Sequence, residues 1–479
     1  MEDSGLSEKT NVAPPNSVAY DLGFLWRICL VAAMGGLLFG YDWVVVGGAR
    51  PFYEPYFRLE TPAAQGWGAS SALLGCLLGA VVSGALSDRF GRKRLLLLAG
   101  ALFTVSALGT GLAWDFSAYN AFRIVGGVGI GLASNLSPMY IAEISPAHLR
   151  GRFVSFNQLT IVIGVLLAQV VNWLISLYDQ QMPDNATTEM ILASWNGQYG
   201  WRFMFAAEAV PALAFFLLMF LVPESPRWLI KNGRNEQAES VLARVGGVEY
   251  ARFELADIRA TLAAEEIARV DYRDLLEPKL VKVLLIGITL AVYQQWCGIN
   301  VIFYYAADIF QAAGYDVKGV MLNIVITGLV MLAFTFVAIG TVDRFGRRIL
   351  MLIGSAGLAL TYAILGLSFQ LEQAGVLVVI LTVTAIAFYS FSLAPIVWVL
   401  LSEIFPNRIR GAAMSIAVFS LWVGCFTLSY SFPILNRGLG SAATFWLYGL
   451  ICAAGFVFVL KAVPETRGKS LEDIERTLL

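Results

Sequence analysis

Charge is scarce in this chain. Only 14% of its 479 residues are Asp, Glu, Lys or Arg, against about a quarter in an ordinary soluble chain, which excludes a solvated surface of normal extent. Histidine occurs once, at His148 in a polar connection, which argues against a histidine-ligated metal or a histidine base in the apolar segments. The five cysteines, Cys29, Cys76, Cys297, Cys425 and Cys452, are scattered through apolar runs. They show neither metal-ligand spacing nor a disulfide framework and read as small packing residues. A net charge of -1 gives no basic footprint for nucleic acid. No nucleophile is paired with a base and no nucleotide loop is visible. Glycine runs such as Gly126-Gly127-Val128-Gly129 suit close helix packing instead. An enzyme is not expected, nor is a metal or cofactor.

What is abundant is apolar sequence: 58% of residues are hydrophobic and the mean hydropathy is +0.70. A helix needs about 20 mostly apolar residues to cross a bilayer. Twelve such runs occur, near 24–49, 67–87, 94–113, 117–143, 152–178 and 201–222, then 280–311, 317–341, 348–369, 375–403, 411–433 and 441–463. The expectation is an all-α polytopic membrane protein embedded in a lipid bilayer. A polar tail (1–22), two six-helix bundles (23–223 and 280–463), a linker of several short amphipathic helices (224–279) and a second tail (464–479) complete the organisation. The first tail has no basic region followed by a cleavage site, so no cleaved leader is expected. Basic clusters at Arg89 to Arg94, Arg150 and Arg152, Arg344 to Arg348, and Arg408 and Arg410 alternate with connections poor in Lys and Arg. By the positive-inside rule the clusters and both termini are cytoplasmic. Asn185-Ala186-Thr187 then matches a glycosylation sequon on the outer side.

The most informative stretch is Gln294-Gln295-Trp296-Cys297-Gly298-Ile299-Asn300, followed by Tyr304 and Tyr305. Three amides lie at membrane depth, where an unpaired amide costs about 2–7 kcal/mol. They must face another helix or a water-filled cavity. Amides donate and accept, which suits a neutral polyhydroxylated ligand; hydrogen bonding between packed helices is the other reading, and the residues alone leave both open. Asn300 and Tyr304 share a helix face. Gln295 and Asn300 stand about 140° apart on an ideal helix, so they converge only if the helix unwinds, and Gly298 is where it can.

The two halves repeat each other. Asp88-Arg89-Phe90-Gly91-Arg92 returns as Asp343-Arg344-Phe345-Gly346-Arg347. Glu143-Ile144-Ser145-Pro146 with Arg150-Gly151 returns as Glu403-Ile404-Phe405-Pro406 with Arg410-Gly411. Pro223-Glu224-Ser225-Pro226-Arg227 returns in part as Pro464-Glu465-Thr466-Arg467. Three motifs in the same order imply two related bundles.

With these motifs the chain closely resembles the sugar porter family of the major facilitator superfamily over nearly its whole length. Arg150-Gly151 through Phe156-Asn157-Gln158 and Trp201-Arg202-Phe203-Met204-Phe205 are most similar to the bacterial xylose–proton symporters of that family. The resemblance implies a sugar site between two six-helix bundles, with a monosaccharide and a proton as transported partners. It also implies a bacterial inner membrane and a monomer. It assigns sugar contacts to Gln158, Gln294, Gln295, Asn300 and Trp398, and places Phe39, Tyr304 and Trp422 in the cavity wall. It implies an inner latch of Asp88, Arg89, Arg92, Glu143, Arg150, Glu224 and Arg227 with Asp343, Arg344, Arg347, Glu403, Arg410 and Glu465; the alternative is that the arginines only set topology. An Asp at the position of Asp42 marks proton-coupled members, with Arg123 and Glu208 matching their partners. By span counting these three lie at similar depth, where carboxylates are costly and usually functional. A static Asp42–Arg123 ion pair in a uniporter is the competing reading, and a non-transporting sugar sensor a more distant one. The pocket departs from the family pattern at Met331, Leu421, Ala394 and Val165, which offer fewer hydrogen bonds. The identity of the sugar therefore stays open.

Overall fold

The structure, a computed structural model, describes residues 18–179, 187–267, 277–372, 375–406 and 409–467. The sequon residue Asn185 lies outside them. Every regular element among the described residues is a helix, as a chain immersed in lipid requires, because a helix satisfies its own backbone hydrogen bonds. Five uninterrupted helices come first: α1 (Leu22–Tyr56), α2 (Pro62–Phe90), α3 (Arg92–Gly111), α4 (Phe116–Ile144) and α5 (Ala147–Ser176). Asp21, Thr61 and Asp115 cap three of them, accepting from the N–H groups of Phe24 at 2.8 Å, Ala64 at 3.2 Å and Ala118 at 2.7 Å.

After the short α6 (Thr188–Ala193) the sixth span, Asn196–Leu221, is segmented. It includes α7 (Trp201–Ala206) and α8 (Ala209–Leu218), joined through Ala207 and Glu208, whose dihedrals stay helical. Pro211 has no N–H, so the Ala207 carbonyl accepts instead from the Val210 N–H at 3.2 Å. The linker holds α9 (Pro226–Lys231) and the 33-residue α10 (Asn235–Ile267), bent at Gly246 and Gly247. Because Gly246 and Gly247 leave the helical region, α10 is two helices joined at a kink, and with α9 the described part of the linker comprises three short helices. Apolar positions along α10 pack against the first half, where the Asp21 N–H donates to the Val245 carbonyl at 2.9 Å and Arg244 lies over the Phe24 ring at 4.2 Å.

The second half comprises α11 (Pro278–Trp296), α12 (Ile299–Tyr304), α13 (Ala306–Ala312), α14 (Val317–Phe345), α15 (Arg347–Gln370), α16 (Val376–Phe391), α17 (Leu393–Ile404) and α18 (Arg410–Ala462). At 1.5 Å per residue the 53 residues of α18 would span about 80 Å, far more than the roughly 30 Å hydrocarbon layer. It breaks at Gly440, where φ is +81°, and so supplies two spans. With the other ten apolar helical segments, the described residues supply the twelve expected crossings.

The repeat is geometric as well as sequential. Gly91 and Gly346 turn with φ of +95° and +91°. Glu224 accepts from the backbone N–H groups of Arg92 and Lys93 at 3.0 and 3.1 Å, and Glu465 from those of Arg347 and Arg348 at 3.0 and 3.1 Å. At the opposite end of the molecule the halves touch. Arg50 Nη1 donates to Asp308 Oδ2 at 2.8 Å, and Arg437 to the Glu60 carbonyl at 3.2 Å. Gln169 Nε2 reaches Thr327 Oγ1 at 3.3 Å. Gly47 lets α1 and α12 meet backbone to backbone: a Cβ there would lie 2.1 Å from the Phe303 carbonyl oxygen.

Candidate functional site

The helix does unwind at Gly298, whose φ is +87°, in the left-handed region that favours glycine. That break separates α11 from α12 and brings the amides into one chain. Asn300 Nδ2 donates to Gln295 Oε1 at 2.6 Å, Gln295 Nε2 to Gln294 Oε1 at 3.2 Å, and Gln294 Nε2 to the carbonyls of Leu393 and Ala394 at 3.0 and 3.1 Å. Asn300 also contacts Cys425 Sγ at 3.4 Å, so one cysteine read as packing touches the site. Asn300 Oδ1 and Trp422 Nε1 are buried without a protein partner, leaving one acceptor and one donor unused in a dry environment.

Aromatic rings from both halves close over this chain. Phe39 and Trp422 are 6.0 Å apart between centroids, and Trp43 stands 5.3 Å from Phe303 and 6.3 Å from Tyr304. Trp43 was not singled out in the sequence; its place next to Asp42 was the available signal. Gln158 is half-buried and Trp398 is 37% exposed; neither joins the amide chain. Met331, Leu421 and Val165 are buried, while Ala394 contributes its carbonyl to Gln294.

Asp42, Arg123 and Glu208 lie near one another. All three are buried. Arg123 Nη1 makes a close ion pair with Asp42 Oδ1, and Arg123 Nη2 donates to the Asp42 carbonyl at 3.2 Å. Asp42 Oδ2 and Glu208 Oε1 have no hydrogen-bond partner. Glu208 lies within electrostatic reach of both other groups. Gly126 allows the close fit, since a Cβ there would lie 2.8 Å from Asp42 Oδ2. The arrangement sets two carboxylates against one guanidinium. It is also tied to the amide site, because Phe39, Asp42 and Trp43 occupy one turn of α1.

Residues 28–478 match the family described as sugar (and other) transporter. The D-xylose-proton symporter of Escherichia coli strain K12 is 39% identical over 95% of this chain and 96% of its own length. The arabinose-proton symporter of Bacillus subtilis strain 168 is 37% identical over 96% of this chain and 97% of its own. The inward-open structure of the E. coli xylose transporter XylE superposes with a TM-score of 0.81 at 36% identity, covering 95% of this chain and 99% of that one. The chain belongs to the sugar porter family. It is therefore an integral membrane transporter of the major facilitator fold and not an enzyme.

At the motif end of this sugar porter, ion pairs join Asp88, Arg92 and Glu143 of the first half with one another and with the linker, and Arg347 with Glu403 in the second half. Arg92 binds Glu143 at 2.9 Å and Asp88 at 3.3 Å; Asp88 also pairs with Lys231 at 2.9 Å, and Glu143 accepts from Ser225 Oγ at 2.5 Å. In the second half Arg347 pairs with Glu403 at 3.4 Å. Arg150 and Arg410 donate to the carbonyls of Ala142 and Phe405 at 3.0 and 3.2 Å. Arg89 and Arg344 are exposed and Arg227 is half-buried; the side chain of Asp343 lies outside the described residues. Among the described residues a charged contact crosses between the halves at the other end, where no motif points to it. Arg50, 3% exposed, is held by Glu54 at 2.5 Å and by Asp308 of the second half, over the Tyr305 ring at 4.2 Å. The signal was an arginine inside an apolar run, beyond the span end placed at residue 49.

Proposed function

We propose that this protein imports a monosaccharide by proton symport through alternating access, with Asp42 as the coupling carboxylate and Arg123 and Glu208 as its partners. The observation that carries the reading is the buried trio. One guanidinium balances one carboxylate, and the second is balanced when the cluster carries a proton, which matters because uncompensated buried charge is very costly. The coupling site and the sugar site share a turn of α1, so occupancy of one bears on the other. Gln158, Gln294, Gln295, Asn300 and Trp398 bind the sugar, with Phe39, Trp43, Tyr304 and Trp422 around it. Relatives named for xylose and arabinose support an aldopentose. Met331, Leu421 and Val165 supply apolar surface, which favours a sugar that presents few hydroxyls to that wall.

The motif end is cytoplasmic by its basic clusters. Closure at the Arg50–Asp308 end then makes this conformation inward-facing. Purified protein in liposomes containing a pH-sensitive dye tests the whole reading. An aldopentose added outside, without an imposed gradient, drives protons inward in the wild type and not in Asp42→Asn. Sugar uptake without proton movement in both proteins would establish a uniporter with a structural Asp42–Arg123 pair.

A further inference from the structure

At the motif end a groove of about 740 Å³ runs between α11, α15 and the end of α18, away from the sugar site and from the trio. Three cations, Lys282, Arg348 and Lys461, stand at its mouth, and Leu285, Ile286 and Phe458 line it farther in. Lys461 is exposed and forms no ion pair among the described residues. Arg348 is pinned by its Nη2 on the Leu460 carbonyl, while its Nε is buried without a partner. Of the nearby carboxylates, Glu465 is engaged by the N–H groups of Arg347 and Arg348, and Glu277, like Lys282, has a partner of its own. Leu285 is 55% exposed, so the deeper wall is apolar surface that no helix covers.

We propose that this groove binds one anionic phospholipid of the leaflet at the motif end, with its phosphate among Lys282, Arg348 and Lys461 and an acyl chain along α11. The dimensions fit. The α11 wall from Pro278 to Thr289 covers 11 residue steps, about 16 Å along the helix, close to half of a hydrocarbon layer of about 30 Å. The chemistry fits as well, because a cationic mouth at the polar boundary followed by an apolar slot matches a charged headgroup joined to a chain. A free anion would use the mouth and leave the slot empty.

Native mass spectrometry of the full chain, released from mild detergent after incubation with phosphatidylglycerol or phosphatidylcholine, tests this without reference to transport. Wild type is expected to retain phosphatidylglycerol in preference to phosphatidylcholine. Lys282→Gln with Lys461→Gln should lower that preference about fivefold for each cation removed, and Lys461→Arg should keep it. Leu285→Trp, which fills the slot and leaves the cations intact, should also lower retention. Unchanged thermal midpoints in phosphatidylcholine nanodiscs show that the variants fold. Equal retention of the two lipids, or a preference that survives both changes, overturns the proposal. So does stabilisation by inorganic phosphate that matches phosphatidylglycerol and is indifferent to Leu285→Trp, which would mark a free-anion site. Retention that appears only when residues 468–479 are removed would assign the groove to the chain's own tail.

Discussion

At the scale of single residues, unsatisfied atoms mark the chemistry. Asp42 Oδ2, Glu208 Oε1 and Asn300 Oδ1 are buried and unpartnered, in a medium where each such group is expensive. Asp42→Asn keeps the volume and removes the titratable site. Sugar-driven proton entry should fall to the level of empty liposomes, while exchange of labelled for unlabelled sugar across the membrane continues. Loss of that exchange as well would mean that Asp42 shapes the sugar site instead of coupling it. Asn300→Ala should act differently. It removes the end of the amide chain and leaves Gln295 Oε1 without its donor, so affinity should fall by about 1–3 kcal/mol, roughly fivefold to 150-fold in Kd. Isothermal titration with the transported sugar reads this directly. Both residues stood out in the sequence because a carboxylate or an amide inside an apolar run needs an explanation. Trp43 did not, since an aromatic there is ordinary.

At the scale of elements, the breaks matter more than the helices. Gly298 converts a face separation of about 140° on an ideal helix into a contact of 2.6 Å between Asn300 and Gln295. Gly298→Ala meets two penalties, a left-handed φ and a Cβ placed 2.9 Å from the Tyr448 ring. The left-handed conformation alone costs about 1–2 kcal/mol. A lowered thermal midpoint in detergent, together with weaker sugar binding, is the expected outcome; a variant with wild-type values for both would show that the turn is dispensable. Beside the trio the sixth span stays helical through Glu208, and Pro211 costs it only one donor.

At the scale of the whole molecule, two related bundles carry equivalent contacts at the motif end and join at the other. Arg50 is nearly inaccessible, yet Asp308 is 41% exposed, so solvent screens the bridge and its contribution is about 1 kcal/mol or less. That is enough to bias a rocking equilibrium. Asp308→Asn should shift the population up to about fivefold toward opening at that end. Spin labels at Glu60→Cys and Leu439→Cys should then report a longer distance, and the five native cysteines, all buried, leave the background low. An unchanged distance distribution would remove the bridge from the closure. The repeat behind this architecture was legible throughout, since Asp88 to Arg92 and Asp343 to Arg347 recur in order. The bridge was not, because its partners are 258 residues apart and neither belongs to a motif.

By itself the sequence determined that the chain is helical and spans a membrane, that it is built twice, and that three amides and three charges lie at membrane depth. These follow from local properties: apolar length, periodic motifs, and the cost of polar groups in lipid. Only the tertiary structure decided which atoms meet. The amides pair through one glycine's dihedral angle, the packing of the sixth span sets Glu208 near the Asp42–Arg123 pair, and the halves meet at Arg50 and Asp308. Such contacts depend on how helices far apart in the chain are rotated and tilted against one another, and no stretch of sequence encodes that alone.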